Sequence, residues 1–361
     1  MTDGNALLKT VEYRILLEKM LTLPLPWEKL YGSCILVTGA AGLIGSFLVD
    51  VLMKLNEAKN AKITVIALGR TLQKLEKRFC VYEKNELLNL VFHDICAFDL
   101  QKKLNTKADF IFHLASNTHP LDYATKPIDT LFTNVIGTKN LLDYASYSGT
   151  KRFVYASSVE IYGENRVDLA SCVEHFDESY CGYIDCNTIR ACYSEGKRAG
   201  ESLCQGYRAE RGIDIVIPRL CRVYGETMLF TDSKALSQFI KNGLLKNDIV
   251  LKSQGNQKYS YLYVFDAVSA LLHLLFFGKT GEAYNVASKE SDVTLKDLAE
   301  LVASLCGTKV VYENPSEAEQ KGYSTATKAL LNPAKLMALG WNARFDIKTG
   351  LTRTLNVLGG F

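Results

Sequence analysis

The residues best suited to chemistry are Tyr193 and Lys197, in the run Tyr193-Ser194-Glu195-Gly196-Lys197. Four residues apart on a helix, they share a face, which sets an ammonium beside a phenol. The lysine and the positive ring of a bound nicotinamide would both favour phenolate, lowering a pKa that starts at about 10. Tyr193 would then be a general base, taking a hydroxyl proton as hydride leaves for the nicotinamide. A second cluster, Ser157-Ser158-Val159-Glu160-Ile161-Tyr162-Gly163, follows the apolar run 152–156. It offers Ser158 as a donor to the same substrate oxygen, opposite Tyr193.

Such a pair needs a cofactor held nearby, and the chain carries a loop for one. The run CILVTG leads into Gly39-Ala40-Ala41-Gly42-Leu43-Ile44-Gly45 and then into a helical pattern. A strand, a glycine turn and a helix let backbone approach a pyrophosphate and point the helix N-terminus at its charge. The spacing is GxxGxxG, one residue longer in its first gap than GxGxxG. Gly39, Gly42, Leu43, Ile44 and Gly45 are therefore the expected dinucleotide contacts. At the end of the second strand, where an NAD site usually carries an acid for the ribose, the chain reads Leu68-Gly69-Arg70. Arg70 would meet a 2′-phosphate, stack on the adenine of NAD, or simply be an exposed base. NAD is the expected cofactor, with NADP left open. Asp94 and Ile95, after the third strand, are placed near the adenine; a plain turn aspartate is the alternative.

The elements that must hold these residues alternate. Short β-rich runs at 34–37, 63–68, 88–92, 110–114, 152–156 and 214–218 are separated by helical patterns, notably at 44–55, 130–146 and 194–211. That alternation predicts an α/β, Rossmann-type doubly wound parallel sheet, followed by a smaller C-terminal α/β substrate-binding region. We divide the chain into an N-terminal helical arm (1–32), a dinucleotide-binding domain (33–225) and a mostly substrate-binding region (226–361). The arm carries a helical pattern over 6–21 and is expected to pack on the body, with dimerisation as the alternative. A polar stretch at 314–327 is expected to be a surface loop.

Composition narrows the class. The 361 residues are 48% hydrophobic and 22% charged, ordinary for a globular protein with a sizeable core. Lys+Arg 42 against Asp+Glu 39 leaves +3, too balanced to suggest a nucleic-acid or membrane-surface partner. Ten cysteines show no CxxC pair, so no metal site is expected, and without a signal peptide they are expected as reduced thiols of a cytoplasmic protein. His113 and His119 are expected to hydrogen-bond locally. Tyr259, Tyr261 and Tyr263 alternate as a strand would, and Lys234 is expected to start a helix.

Taken in order, the motifs resemble those of the extended short-chain dehydrogenase/reductase family that works on nucleotide sugars. The matching stretches are TGAAGLIGS, HLAS (113–116), TNVIGT (133–138), YASSVEIYG (155–163), RACYSEGKR (190–198), YVFDAV (263–268) and AYNVA (283–287), spread over roughly 33–290. The resemblance implies bound NAD(P), a nucleotide-sugar substrate and usually a homodimer. Carried over by motif, Leu114, Ala115 and Ser116 would line the dinucleotide and Asn134 would support the active-site helix. Ser158, Tyr193 and Lys197 would be catalytic, with Ser157 at the substrate.

Within that family RACYSEGKR looks most like UDP-glucuronate decarboxylases, and Glu160 occupies the position of their active-site glutamate. Oxidising C4 of a uronate gives a β-keto acid, which loses carbon dioxide easily before hydride returns. In 4,6-dehydratases the same glutamate removes the C5 proton, while simple C4 epimerases need no such carboxylate. TDP-glucose dehydratases place an aspartic acid before it, where this chain has Val159. All three reactions stay open, and a non-catalytic dinucleotide-binding protein is the reading from another class. Two departures stand out. The family arginine before YVFDAV is Tyr259, and the asparagine of RxxNxYG is Arg222. We expect Arg222 to replace the lost cation by holding the substrate diphosphate.

Overall fold

The β-branched, apolar runs become strands: β1 (Cys34–Thr38), β2 (Thr64–Gly69), β3 (Leu88–Phe92), β4 (Phe110–His113), β5 (Arg152–Tyr155), β6 (Ser157–Ser158), β7 (Ile215–Leu220), β8 (Arg222–Tyr224), β9 (Ile249–Leu251), β10 (Lys258–Tyr263), β11 (Ala283–Val286), β12 (Asp292–Thr294), β13 (Val310–Tyr312) and β14 (Lys328–Ala329). The structure, a computed structural model, describes residues 4–164, 174–315 and 326–359.

The main sheet runs β11-β7-β5-β4-β1-β2-β3, with β6 beside β7, and its pairings are parallel. Ile35, Leu36 and Val37 are all fully buried, as a central strand covered by helices on both faces requires. The strand order reverses between β1 and β4, and the crevice beyond their C-terminal ends is where such sheets bind ligands. A smaller sheet runs β12-β10-β14, with β8 beside β10. It sets Arg222 of β8 in register with Tyr261 of β10.

The boundary drawn at residue 225 does not divide the fold. β11 returns to the edge of the main sheet beside β7. The helix Val264–Phe277 packs on β5, β7 and the helix Leu43–Lys59. Ala267, Leu271 and Leu274 have no exposed surface, so this helix is core material for the dinucleotide-binding sheet. Residues 316–325 of the expected polar loop lie outside the described residues.

The N-terminal arm forms two helices, Gly4–Lys9 and Val11–Leu21, broken where Thr10 is extended. It is bound to the body through a buried carboxylate. Asp50 is fully buried and accepts from Tyr13 Oη at 2.5 Å and Tyr82 Oη at 3.2 Å, and it pairs with the buried Arg78 guanidinium. A charge taken out of water needs such partners, and the arm supplies one of them.

Candidate active site

The glycine loop leaves room for backbone alone. Gly39 has φ +66°, and a Cβ there would lie 2.9 Å from the N and Cα of Ala115. A Cβ on Gly45 would lie 2.4 Å from the Gly39 carbonyl oxygen. The loop therefore presses against the Leu114–Ala115 segment, whose amides donate to Thr38 Oγ1 at 3.2 and 3.1 Å. Gly42 caps the helix Leu43–Lys59, so the positive helix end, with Leu43 and Ile44 in its first turn, faces this cradle. The cradle fits a dinucleotide pyrophosphate.

Asn134 ties the cofactor loop to the catalytic helix. It sits in a π-helical turn, Thr133–Gly137, accepts from Ser116 Oγ at 2.8 Å and donates to Thr130 O at 2.9 Å. On its other side it packs against Gly196 of the helix Ala191–Arg211, where a Cβ would come within 3.1 Å of its own. The expected single helix over 130–146 is interrupted at this π turn, a feature frequent at functional sites.

At the adenine end the geometry narrows the expectations. Arg70 donates to both Asp129 carboxylate oxygens at 3.0 and 2.9 Å and to Asn117 Oδ1 at 2.6 Å. Its charge is paired by protein rather than held out for a 2′-phosphate. Asp94 is exposed and uses Oδ1 to accept the Cys96 amide at 2.8 Å, closing a turn. Ile95 leaves only its backbone to meet a cofactor. Its side chain is 1% exposed and lies under Gly137, because the chain turns it inward to cover the π turn.

The structure brings Ser158, Tyr193, Lys197 and Glu160 together. Ser158 ends β6 and caps the 3₁₀ turn Val159–Tyr162, accepting the Glu160 amide at 3.3 Å. Tyr193 is 6% exposed, and the Tyr123 ring stacks on it at 4.8 Å. Burial pushes the Tyr193 phenol up to about 12, and the lowering influences are a hydrogen bond with Ser158 and the Arg190 charge. Lys197 donates to the Ala156 carbonyl at 2.7 Å and lies 5.1 Å over the Tyr155 ring. Burial brings the lysine itself down to about 8.

Glu160 is engaged at both oxygens. Arg190 Nη2 pairs with Oε2 at 2.8 Å, and Arg222 Nη2 with Oε1 at 3.5 Å. The Arg190 guanidinium lies 4.5 Å over Tyr123, and that of Arg222 lies 3.5 Å over Tyr259. Tyr259 Oη donates to Ala326 O at 2.9 Å. Glu160 and Arg190 form part of the wall of a cavity of about 330 Å³, with Ser194, Tyr183 and Ala329. Ser157, expected at the substrate, turns away. It is 3% exposed and donates to Glu201 at 2.5 Å, in a network with Arg219, because alternate strand residues face opposite sides.

Arg190 and Tyr123 were not singled out by sequence reasoning. Arg190 could have been, since it stands three residues before Tyr193 on the same face; Tyr123 carries no such signal. The other expectations at the periphery are met by local bonds. His113 spans Thr38 Oγ1 and Thr138 Oγ1, each at 3.0 Å, and His119 pairs with Asp232 at 2.9 Å.

A dinucleotide cradle at the switch point of a doubly wound sheet, with a buried Ser–Tyr pair beside it, is the arrangement of a nicotinamide-dependent enzyme. The chain belongs to the NAD dependent epimerase/dehydratase family, whose model matches residues 35–287. It is 33% identical to UDP-glucuronic acid decarboxylase 6 of Arabidopsis thaliana over 324 residues, covering 88% of this chain and 86% of that one. It is 31% identical to UDP-glucuronic acid decarboxylase 1 of Danio rerio, covering 89% and 71%. In fold it is similar to the UDP-glucose 4-epimerase of Thermotoga maritima, with TM-score 0.74 and 24% identity over 90% of this chain and 98% of that one. Among the described residues no helix is long and apolar enough to cross a membrane.

Proposed function

We propose that the protein converts a UDP-linked uronate by oxidising C4, releasing carbon dioxide and reducing C4 again. The observation that sets this reading apart from a dehydratase is Glu160, held at both oxygens by arginines beside the Ser158–Tyr193 pair. A carboxylate so engaged is poorly disposed to remove a C5 proton, as a dehydratase would require. Decarboxylation of a 4-keto uronate needs no such removal. Similarity to the two UDP-glucuronic acid decarboxylases supports the same choice.

The glycine loop, the Leu114–Ser116 segment and Lys197 would hold NAD, which supplies a reversible hydride acceptor when bound. Tyr193 takes the C4 hydroxyl proton while Ser158 donates to the same oxygen, and the positive ring of a bound nicotinamide would favour the phenolate that this requires. Once the C4 ketone is formed, the C5–C6 bond breaks, carbon dioxide leaves, and its bonding electrons pass to the C4 oxygen. Ser158 and the now protonated Tyr193 stabilise that enolate. After a proton is added at C5, Tyr193 returns its proton to the C4 oxygen as C4 is reduced. Atoms and redox state then balance: one uronate and one proton give one pentoside and one carbon dioxide. The test is release of labelled carbon dioxide from UDP-glucuronate labelled at C6; retention of the label would reject this reading.

Two further readings rest on the same frame. Ile128, Phe132 and Ile136 lie exposed at successive turns (69%, 51% and 37%), which supports a homodimer formed through this stripe. Light scattering at micromolar protein would test it. The described cysteines are free, in keeping with work in the reducing cytoplasm, which localisation of the tagged protein would test.

A further inference from the structure

We propose that Arg222 is the residue that reads the carboxylate of the substrate, and thereby sets preference for a uronate over a neutral sugar. The proposal rests on the uronate reading above and names the residue behind it. It also replaces the diphosphate role expected for Arg222 from sequence.

Position is the first argument. C4 must meet Tyr193 and Ser158, and C6 is two bonds from C4, whereas the diphosphate leaves from C1 across the ring. Arg222 reaches Glu160 Oε1 at 3.5 Å, and the Glu160 amide in turn donates to Ser158 Oγ at 3.3 Å. These contacts put the guanidinium on the Ser158 side of the site, where C4 and C6 of a bound sugar would lie.

Charge is the second argument. Glu160 is one anion between two cations, and the charges felt at the Tyr259 phenol are those same three groups. The cluster carries one positive charge in excess, on side chains only 16–21% exposed. Arg222 Nη1 and Arg190 Nε and Nη1 are buried with no hydrogen-bond partner among the described residues. Buried donors of this kind call for an acceptor, and a second carboxylate would meet both the charge and the geometry.

Strand register explains how the cation comes to be there. β8 pairs with β10 so that Arg222 faces Tyr261, two residues from Tyr259, and the guanidinium lies on the Tyr259 ring at 3.5 Å. A flat aromatic in place of an arginine on β10 gives the β8 arginine a surface to rest on.

The experiment is calorimetric binding to the full chain loaded with NADH, which cannot oxidise the sugar. UDP-glucuronate, UDP-glucose and UDP are compared for wild type, Arg222→Gln and Arg222→Lys. Arg222→Gln is expected to weaken UDP-glucuronate by about tenfold or more while leaving UDP-glucose and UDP within about twofold. Arg222→Lys should recover part of the loss. Equal weakening of all three ligands would assign Arg222 to the diphosphate and overturn the proposal. Uronate preference kept by Arg222→Gln, in protein that melts like wild type, would overturn it too. A wild type that does not prefer UDP-glucuronate to UDP-glucose would overturn both this assignment and the reading beneath it.

Discussion

Lys197 Nζ donates to the Ala156 carbonyl at 2.7 Å and stands one helical turn from Tyr193 on the helix Ala191–Arg211. The ammonium is a buried charge whose desolvation outweighs the pull of Glu201 and of the Ala156 carbonyl, at a cost in stability. Its pKa is brought down to about 8 in the folded protein against 10.5 unfolded, so the unfolded chain binds the extra proton between those values. Stability contributed by this group rises with pH through that window, and the full cost is present below about 8. Lys197→Met is expected to raise the melting temperature at pH 7, by about 1–3 kcal/mol of stability, while abolishing turnover. The gain should shrink as pH rises towards 10.5. Thermal melts at stepped pH check it; a variant that melts lower than wild type at pH 7 would contradict it.

Tyr193→Phe removes the group that takes the C4 proton, and turnover should fall by about 10²–10⁴-fold with the fold intact. Arg190→Gln tests the electrostatics more finely. Arg190 favours the phenolate, so its removal should move the acid limb of C4 oxidation to higher pH. Single-turnover absorbance at 340 nm, followed as a function of pH at about ten values, reads that limb. An unmoved limb would separate Arg190 from the base.

Arg70 is paired with Asp129 and Asn117, so wild type should use NAD in preference to NADP. Asp129→Asn frees the guanidinium for a phosphate and should lower the KM for NADP by about tenfold. Both partners of this pair are about two-fifths exposed, so little change in stability is expected. Steady-state kinetics with both cofactors decide the point.

Asp50→Asn leaves Arg78 a buried cation with no carboxylate and weakens the tie to Tyr13. A loss of about 3–5 kcal/mol is expected, with faster proteolysis in residues 4–21. Urea unfolding and limited digestion would show it. Loss of stability without faster cleavage of the arm would mean that the arm is held by its apolar face instead.

These outcomes mark where sequence reading ends. The parallel sheet and the glycine cradle were legible because β-branched runs, helical spacing and a strand–glycine–helix unit are local patterns. Ser158 and Tyr193 were legible for the same reason, and Glu160 through the family resemblance. Ser157 misled because adjacent strand residues face opposite ways, and only the fold shows which face meets the cavity. Arg222 was visible as an oddity, but its meeting with Glu160 depends on the β8–β10 register, which no local pattern encodes. The domain boundary failed similarly: β11 rejoins a sheet whose other strands lie far earlier in the chain. Tyr193's high pKa follows from burial, which spacing does not report.

The most direct test is mass spectrometry of UDP-glucuronate after incubation with the full chain and NAD, with Tyr193→Phe as control. The expected product is a UDP-pentose lighter by one carbon dioxide, formed by wild type alone. A product of unchanged mass, or one lighter by a water, would contradict decarboxylation and make the Arg190–Glu160–Arg222 cluster the mark of a different sugar chemistry.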